Sequence, residues 1–155
     1  MTRKLLLGLF VAILLAVAPQ AQATIGPFVS WQNADDLDNG YGLGISFPRN
    51  FTPLFRIDPR VSWYNYSGGS YDLNAFPIDL IAEINLGLFY GGVGGSYTIY
   101  DNDIKNKWGY SFVAGAKLQL GGIGVFGDLM WRGSEKDEAN VDGFGLNVGI
   151  LLGGN

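Results

Sequence analysis

The chain has 155 residues, no cysteine and no histidine, and its 14 acidic side chains outnumber 10 basic ones for a net charge of −4. That composition excludes disulfides, thiolate metal sites and Ser-His nucleophilic chemistry, and the net acidity argues against nucleic acid as a partner. Aromatic side chains make up 14% of the chain and 24 residues are glycine; such strands are poor material for a soluble sandwich but suit a narrow barrel, where inward glycines leave room for bulky residues opposite.

The chain opens with two basic residues, Arg3 and Lys4, then an unbroken apolar run from Leu5 to Val17, then the small-x-small triplet Ala21-Gln22-Ala23. This is the layout of a cleavable helical signal peptide over residues 1–23, and the run is shorter than the roughly 20 residues a membrane-spanning helix needs. Cleavage after Ala23 leaves one domain over residues 24–155 and takes the charge from −4 to −6, because Arg3 and Lys4 leave with the leader.

Eight segments of alternating side chains follow between Ile25 and Leu152, and period two marks strands. In chain order they are Ile25–Gln32, Tyr41–Phe47, Phe55–Tyr66, Phe76–Leu86, Tyr90–Ile99, Trp108–Leu120, Ile123–Arg132 and Phe144–Leu152. Most are near the roughly 9–11 residues that a tilted transmembrane strand requires. One row of each segment is bulky and apolar, as in Phe76, Ile78, Leu80, Ala82, Ile84 and Leu86. The other is small, polar or charged, as in Gly42, Gly44 and Ser46. Eight bulky rows would overfill the interior of a small barrel, so they are expected to point outward to lipid, with Tyr41, Trp63, Trp108 and Trp131 at the membrane interfaces.

The opposite rows then line the lumen. They carry four basic residues (Arg56, Arg60, Lys117 and Arg132) and four acidic ones (Asp58, Asp79, Glu83 and Asp128). Balanced charge is what a narrow low-dielectric interior demands, since an unpaired buried ion is costly. The breaks between segments alternate too. Asn33–Gly40, Ser67–Ala75, Tyr100–Lys107 and Gly133–Gly143 are polar and mostly charged, whereas Gly87-Leu88 and Gly121-Gly122 are hairpin-sized, and Pro48–Leu54 is the longest break on that side. Short turns on one side and polar loops on the other predict periplasmic termini and four external acidic loops. The fold class expected is therefore all-β: an eight-stranded antiparallel up-and-down transmembrane β-barrel.

The segments FYGGVGGSYTIY, GYSFVAGAKLQLGGIGVFGDLMWR and GFGLNVGILL, with the two-level rhythm around them, resemble the small eight-stranded outer-membrane barrels of the OmpA-like and OmpX-like class. The resemblance covers nearly all of residues 24–155. It implies residence in the outer membrane of a Gram-negative-type envelope, contact with outer-membrane lipids and lipopolysaccharide, and delivery by the barrel-assembly machinery. Members of that class usually finish on an aromatic residue, whereas this chain finishes Leu152-Gly153-Gly154-Asn155; recognition of the last strand then falls to the apolar row Phe144–Leu152.

No catalytic constellation stands out. Asp79 and Glu83 share a strand face but lie about 13 Å apart by strand rise, too far for a shared-proton dyad or a glycosidase pair, and pairing with lumen arginines is the expected role. The loop aspartates Asp35, Asp36 and Asp38, and Asp101 and Asp103, offer possible divalent-cation or lipopolysaccharide-bridging contacts. Gly91-Gly92-Val93-Gly94-Gly95 lacks the lysine and helix of a phosphate loop and reads as strand glycine. No cofactor is expected. The favoured function is a non-enzymatic structural or surface-interaction platform that meets an external partner through its loops. The alternatives are a soluble periplasmic lipocalin-like barrel binding an apolar ligand, and a narrow small-solute channel.

Overall fold

The computed structural model describes residues 24–34, 39–68, 71–101, 106–134 and 142–153; the leader call on residues 1–23 lies outside them. Nine strands follow one another along the chain: β1 (Gly26–Ala34), β2 (Gly40–Ser46), β3 (Arg49–Asn50), β4 (Phe55–Gly68), β5 (Tyr71–Leu86), β6 (Phe89–Tyr100), β7 (Lys107–Leu120), β8 (Ile123–Ser134) and β9 (Gly143–Leu152), and every pairing between them is antiparallel. β1 pairs with β2, β2 and β3 both pair with β4, the later strands pair in sequence order, and β9 returns to pair with β1. The two-residue β3 continues β2 in one register against β4, since Ser46 faces Arg60 and Arg49 faces Ile57. The break between them falls at Pro48, which has no N–H to give the ladder. The sheet is therefore an eight-stranded closed barrel without free edges. Followed around the circuit, the registers imply a stagger of about ten residues, which tilts the strands by roughly 40°.

The two ends of the barrel differ. At the turn end, β5–β6 and β7–β8 close through Gly87-Leu88 and Gly121-Gly122. Gly87 and Gly121 hold φ at 74° and 64°, the left-handed backbone that tight hairpin turns require at their first central residue. The start of β1 and the end of β9 meet at the same end, where Ile25 and Leu152 exchange two main-chain hydrogen bonds of 2.9 and 2.8 Å. The opposite, loop end carries the four polar connections.

One of those connections differs from expectation. Residues 67–75 were expected to form a loop, but β4 runs to Gly68 and β5 starts at Tyr71, so only residues 69–70 separate the strands. The alternation in fact continues through this stretch: Leu73 and Ala75 are buried beside Tyr64 and Tyr66, and Asn65 Nδ2 donates to Asn74 Oδ1 at 3.2 Å across the ladder. Polar composition suggested a loop, but a hairpin standing above an apolar band can be polar on its outer row and still be strand. Lys107, assigned by its charge to the next loop, is likewise the first residue of β7 and is buried.

Burial runs opposite to a soluble protein. Among the described residues, 31 large apolar side chains are exposed and 13 apolar side chains are buried, while Arg56, Asp58, Arg60, Asp79, Glu83, Asp128 and Arg132 are all buried. Single exposed hydrophobes are ordinary, but rows of them on every strand are not.

Candidate functional site

The lumen is filled by two arginine hubs and three apolar clusters. The lower hub is Arg60 on β4. Its Nε donates to Asp58 Oδ2 at 2.8 Å, and its Nη2 reaches Asp128 Oδ2 at 2.9 Å and Glu83 Oε1 at 3.3 Å. Glu83 also pairs with Arg56 Nε, and the Arg56 guanidinium lies 4.4 Å from the centre of the Tyr90 ring. Tyr90 in turn donates its hydroxyl to Asp128 Oδ2 at 2.6 Å, and Ser46 Oγ donates to Asp58 Oδ1 at 2.6 Å. Such charge-assisted bonds are the strong class, and the planar guanidinium can serve several carboxylates at once.

The upper hub is Arg132 on β8. Nη2 and Nε hold the two oxygens of Asp79 at 2.7 and 3.3 Å, a fork-on-fork contact, and Nη1 donates to Gln32 Oε1 and Tyr64 Oη, each at 3.2 Å. Tyr66 adds a hydroxyl donor to Gln32 at 2.8 Å. A neutral chain joins the hubs. Asn147 Nδ2 donates to Asp128 Oδ1 at 2.7 Å, Ser30 Oγ donates to Asn147 Oδ1 at 2.5 Å, and Ser30 and Tyr64 share a 2.8 Å hydrogen bond. One polar network therefore runs along the lumen, a setting in which each satisfied group strengthens its neighbours and each orphaned one is costly.

Apolar clusters sit between and beyond these layers. Tyr64, Tyr66, Leu73 and Tyr100 pack toward the loop end. Ile81, Tyr90, Val113 and Met130 fill the middle, and Phe28, Phe126 and Leu151 the turn end. Glycine makes this possible where the walls face bulk: a Cβ on Gly115 would lie 2.5 Å from Asp128 Cβ and 2.7 Å from Tyr90 Cζ.

Three solved structures place this architecture. The crystal structure of Neisserial surface protein A aligns with a TM-score of 0.67 at 12% identity, covering 84% of this chain and 95% of that one. The Yersinia pestis outer membrane protein Ail gives 0.57 at 10% identity over 86% and 100% of the two chains. The N-terminal β-barrel domain of Pseudomonas aeruginosa OprF gives 0.53 at 17% identity over 86% and 100%. The chain has the fold of the small eight-stranded outer-membrane β-barrels. No family model and no curated protein matches its sequence.

Within this outer-membrane-type barrel, seven of the eight charged residues singled out in the sequence are buried in the lumen and joined by ion pairs. The eighth, Lys117, sits half-buried at the turn-end mouth and donates to the neutral Asn85 Oδ1 at 2.8 Å instead. Asp79 and Glu83 are drawn to different hubs, and each is engaged by a guanidinium. Tyr41, Trp63 and Trp108 are exposed on the outer wall near the loop end, and Trp131 packs there between Tyr110 and Phe112 at ring separations of 5.4 and 5.9 Å. All four thus belong to one belt; the turn end has its own aromatics in Phe51, Phe55 and Phe89. Asp101 is exposed beyond β6, whereas Asp35, Asp36, Asp38 and Asp103 lie outside the described residues.

Charge alone missed the neutral members of the network: Gln32, Ser30, Tyr66 and the bridging role of Asn147. Their signal was parity, because each falls on the inward row of its strand.

Proposed function

We propose that the protein is an integral outer-membrane barrel whose ion-paired lumen acts as a rigid plug, and which serves as a structural or surface-interaction platform through the polar connections at its loop end. The observation that carries this reading is the inversion of burial: apolar rows circle the outer wall of every long strand while, among the described residues, eight charged side chains are buried. In water that wall would be a patch far larger than a soluble protein exposes; in lipid it is matched to its solvent. The fold likeness to outer-membrane proteins supports the same placement, with lipid and lipopolysaccharide against the wall and the barrel-assembly machinery as the route of insertion.

A lipocalin-like role would call for a hollow, apolar interior, and a diffusion channel for an open one. The lumen's three apolar clusters and two arginine hubs favour neither. Guanidinium engagement of both Asp79 and Glu83 supports a non-catalytic role for these carboxylates. The test is fractionation of the expressed protein. Recovery only with detergent, together with a heat-dependent shift in SDS gel migration, is the expected result; recovery in detergent-free wash would overturn the membrane placement. Planar-bilayer recording tests the plug, which predicts no steady open steps of defined conductance.

A further inference from the structure

Three buried hydroxyls have no hydrogen-bond partner among the described residues: those of Ser62, Ser111 and Tyr100. Ser62 is the one that also lies in a gap of the wall. The β4–β5 ladder runs from Phe55–Ile84 to Val61–Ile78 and resumes at Tyr64–Ala75, so Ser62 and Trp63 stand opposite Pro77 and Phe76 without pairing. The ladders on either side, β2–β4 and β5–β6, continue unbroken past the same residues.

The cause is Pro77. Phe47 N donates to Pro59 O at 2.8 Å, and Asn85 N donates to Leu54 O at 2.7 Å. The first bond turns the odd residues of β4 toward the preceding strand, and the second turns even residues of β4 and odd residues of β5 toward each other. Ser62 therefore directs its C=O at Pro77, which has no N–H to give. Pro59 opens a comparable gap at Phe47, between β2 and β3, but there the neighbouring hydroxyl is committed, since Ser46 donates to Asp58. At Ser62 the main-chain oxygen lacks its ladder donor and the side-chain oxygen lacks a partner, and the residue is 2% exposed. Two such oxygens on one buried residue are costly unless a donor reaches them, and hydrocarbon supplies none.

We infer that the β4–β5 seam is a hydration site, in which one ordered water takes the place of the missing Pro77 N–H, donating to Ser62 O and bonded to Ser62 Oγ. The water approaches from the lumen. Ser62 and Pro77 are buried on the inner row, whereas Trp63 and Phe76 project outward over the seam, 39% and 40% exposed. The ligand must be small and carry a hydrogen to donate, because the place to be filled is that of one N–H and both Ser62 oxygens can accept. Asp79, the next inward side chain on β5, adds a further acceptor, since each of its oxygens holds one arginine nitrogen and keeps a lone pair free. A buried water makes about three hydrogen bonds to such groups. Solvent thereby completes the wall where proline breaks it.

The experiment is water-edited solid-state NMR of the folded full chain in phosphatidylcholine bilayers. It reads polarisation transfer from water to the Ser62 backbone carbonyl, with the ladder-paired Ile81 carbonyl as the dry control. Transfer to Ser62 and none to Ile81 is expected. Ser62→Ala retains the transfer, because the main-chain oxygen still binds the water. Its loss in that variant would mean that the signal came only from exchange of the hydroxyl hydrogen, and overturns the proposal. Pro77→Ala supplies the missing N–H, closes the ladder and abolishes the transfer. Unchanged transfer in that folded variant overturns the proposal, as does no transfer in the parent chain. If Pro77→Ala does not fold, the parent chain and Ser62→Ala decide the matter. A negative result in folded, bilayer-inserted protein leaves the membrane placement standing, because fractionation tests that separately.

Discussion

Neighbouring residues on β5 show how differently the two faces of this barrel are specified. Leu80 is 45% exposed on the outer wall, whereas Ile81 is 0% exposed among Tyr90, Val113 and Met130. The outer face asks only for apolarity, because a fluid hydrocarbon solvent fits any side-chain shape. The inner face asks for shape, donor count and charge at once, because its neighbours are fixed protein atoms. Tolerance should therefore divide along the period-two rows and not along the chain.

The largest break in that comparison is Arg60→Met. It leaves Asp58, Glu83 and Asp128 buried without their shared cation and is expected to cost about 3–5 kcal/mol in urea unfolding from phospholipid vesicles. Arg60→Lys should recover only part of this, since one ammonium cannot fork to three carboxylates. On the outer wall, Leu80→Arg is expected to cost about 2–4 kcal/mol by placing a charge against lipid. A cost near zero for Leu80→Arg would mean that this row does not face hydrocarbon.

Size changes sharpen the contrast. Ile81→Phe should cost about 1–3 kcal/mol by overfilling the middle cluster, while Leu80→Phe stays within about 0.5 kcal/mol because lipid yields. Glycines give the same test at smaller scale. Gly115→Ala forces a Cβ against Asp128 and Tyr90, whereas a Cβ on the outward Gly91 meets only Val113 O at 3.6 Å. A loss of about 1–2 kcal/mol for Gly115→Ala, against almost none for Gly91→Ala, is expected in the same unfolding assay. Equal losses within either pair would remove the distinction between fixed and fluid surroundings.

Strand number, facing and closure were legible because alternation is a local property. Asp79, Glu83 and Arg132 could be assigned inward from their row alone. Two kinds of feature were not legible. Residues 71–75 looked like loop because composition above a membrane no longer reports burial, although Leu73 and Ala75 kept the inward parity. Network membership of Gln32 and Tyr66 was hidden because a neutral side chain on the inward row carries no mark of its partner.

Partnership itself needed the barrel. Arg60 and Asp79 stand opposite each other in the β4–β5 ladder, yet Arg60 turns to Asp58, Glu83 and Asp128 while Asp79 is held by Arg132. By contrast, the ladder partners Arg56 and Glu83 do pair. Period two determines which side of the sheet a residue occupies, so the sequence alone settled what faces lipid and what faces the lumen. Closure, stagger and strand tilt determine which inward residues share a level across the interior. Only the tertiary structure could therefore decide that two arginines, 72 positions apart in the chain, divide the lumen's carboxylates between them.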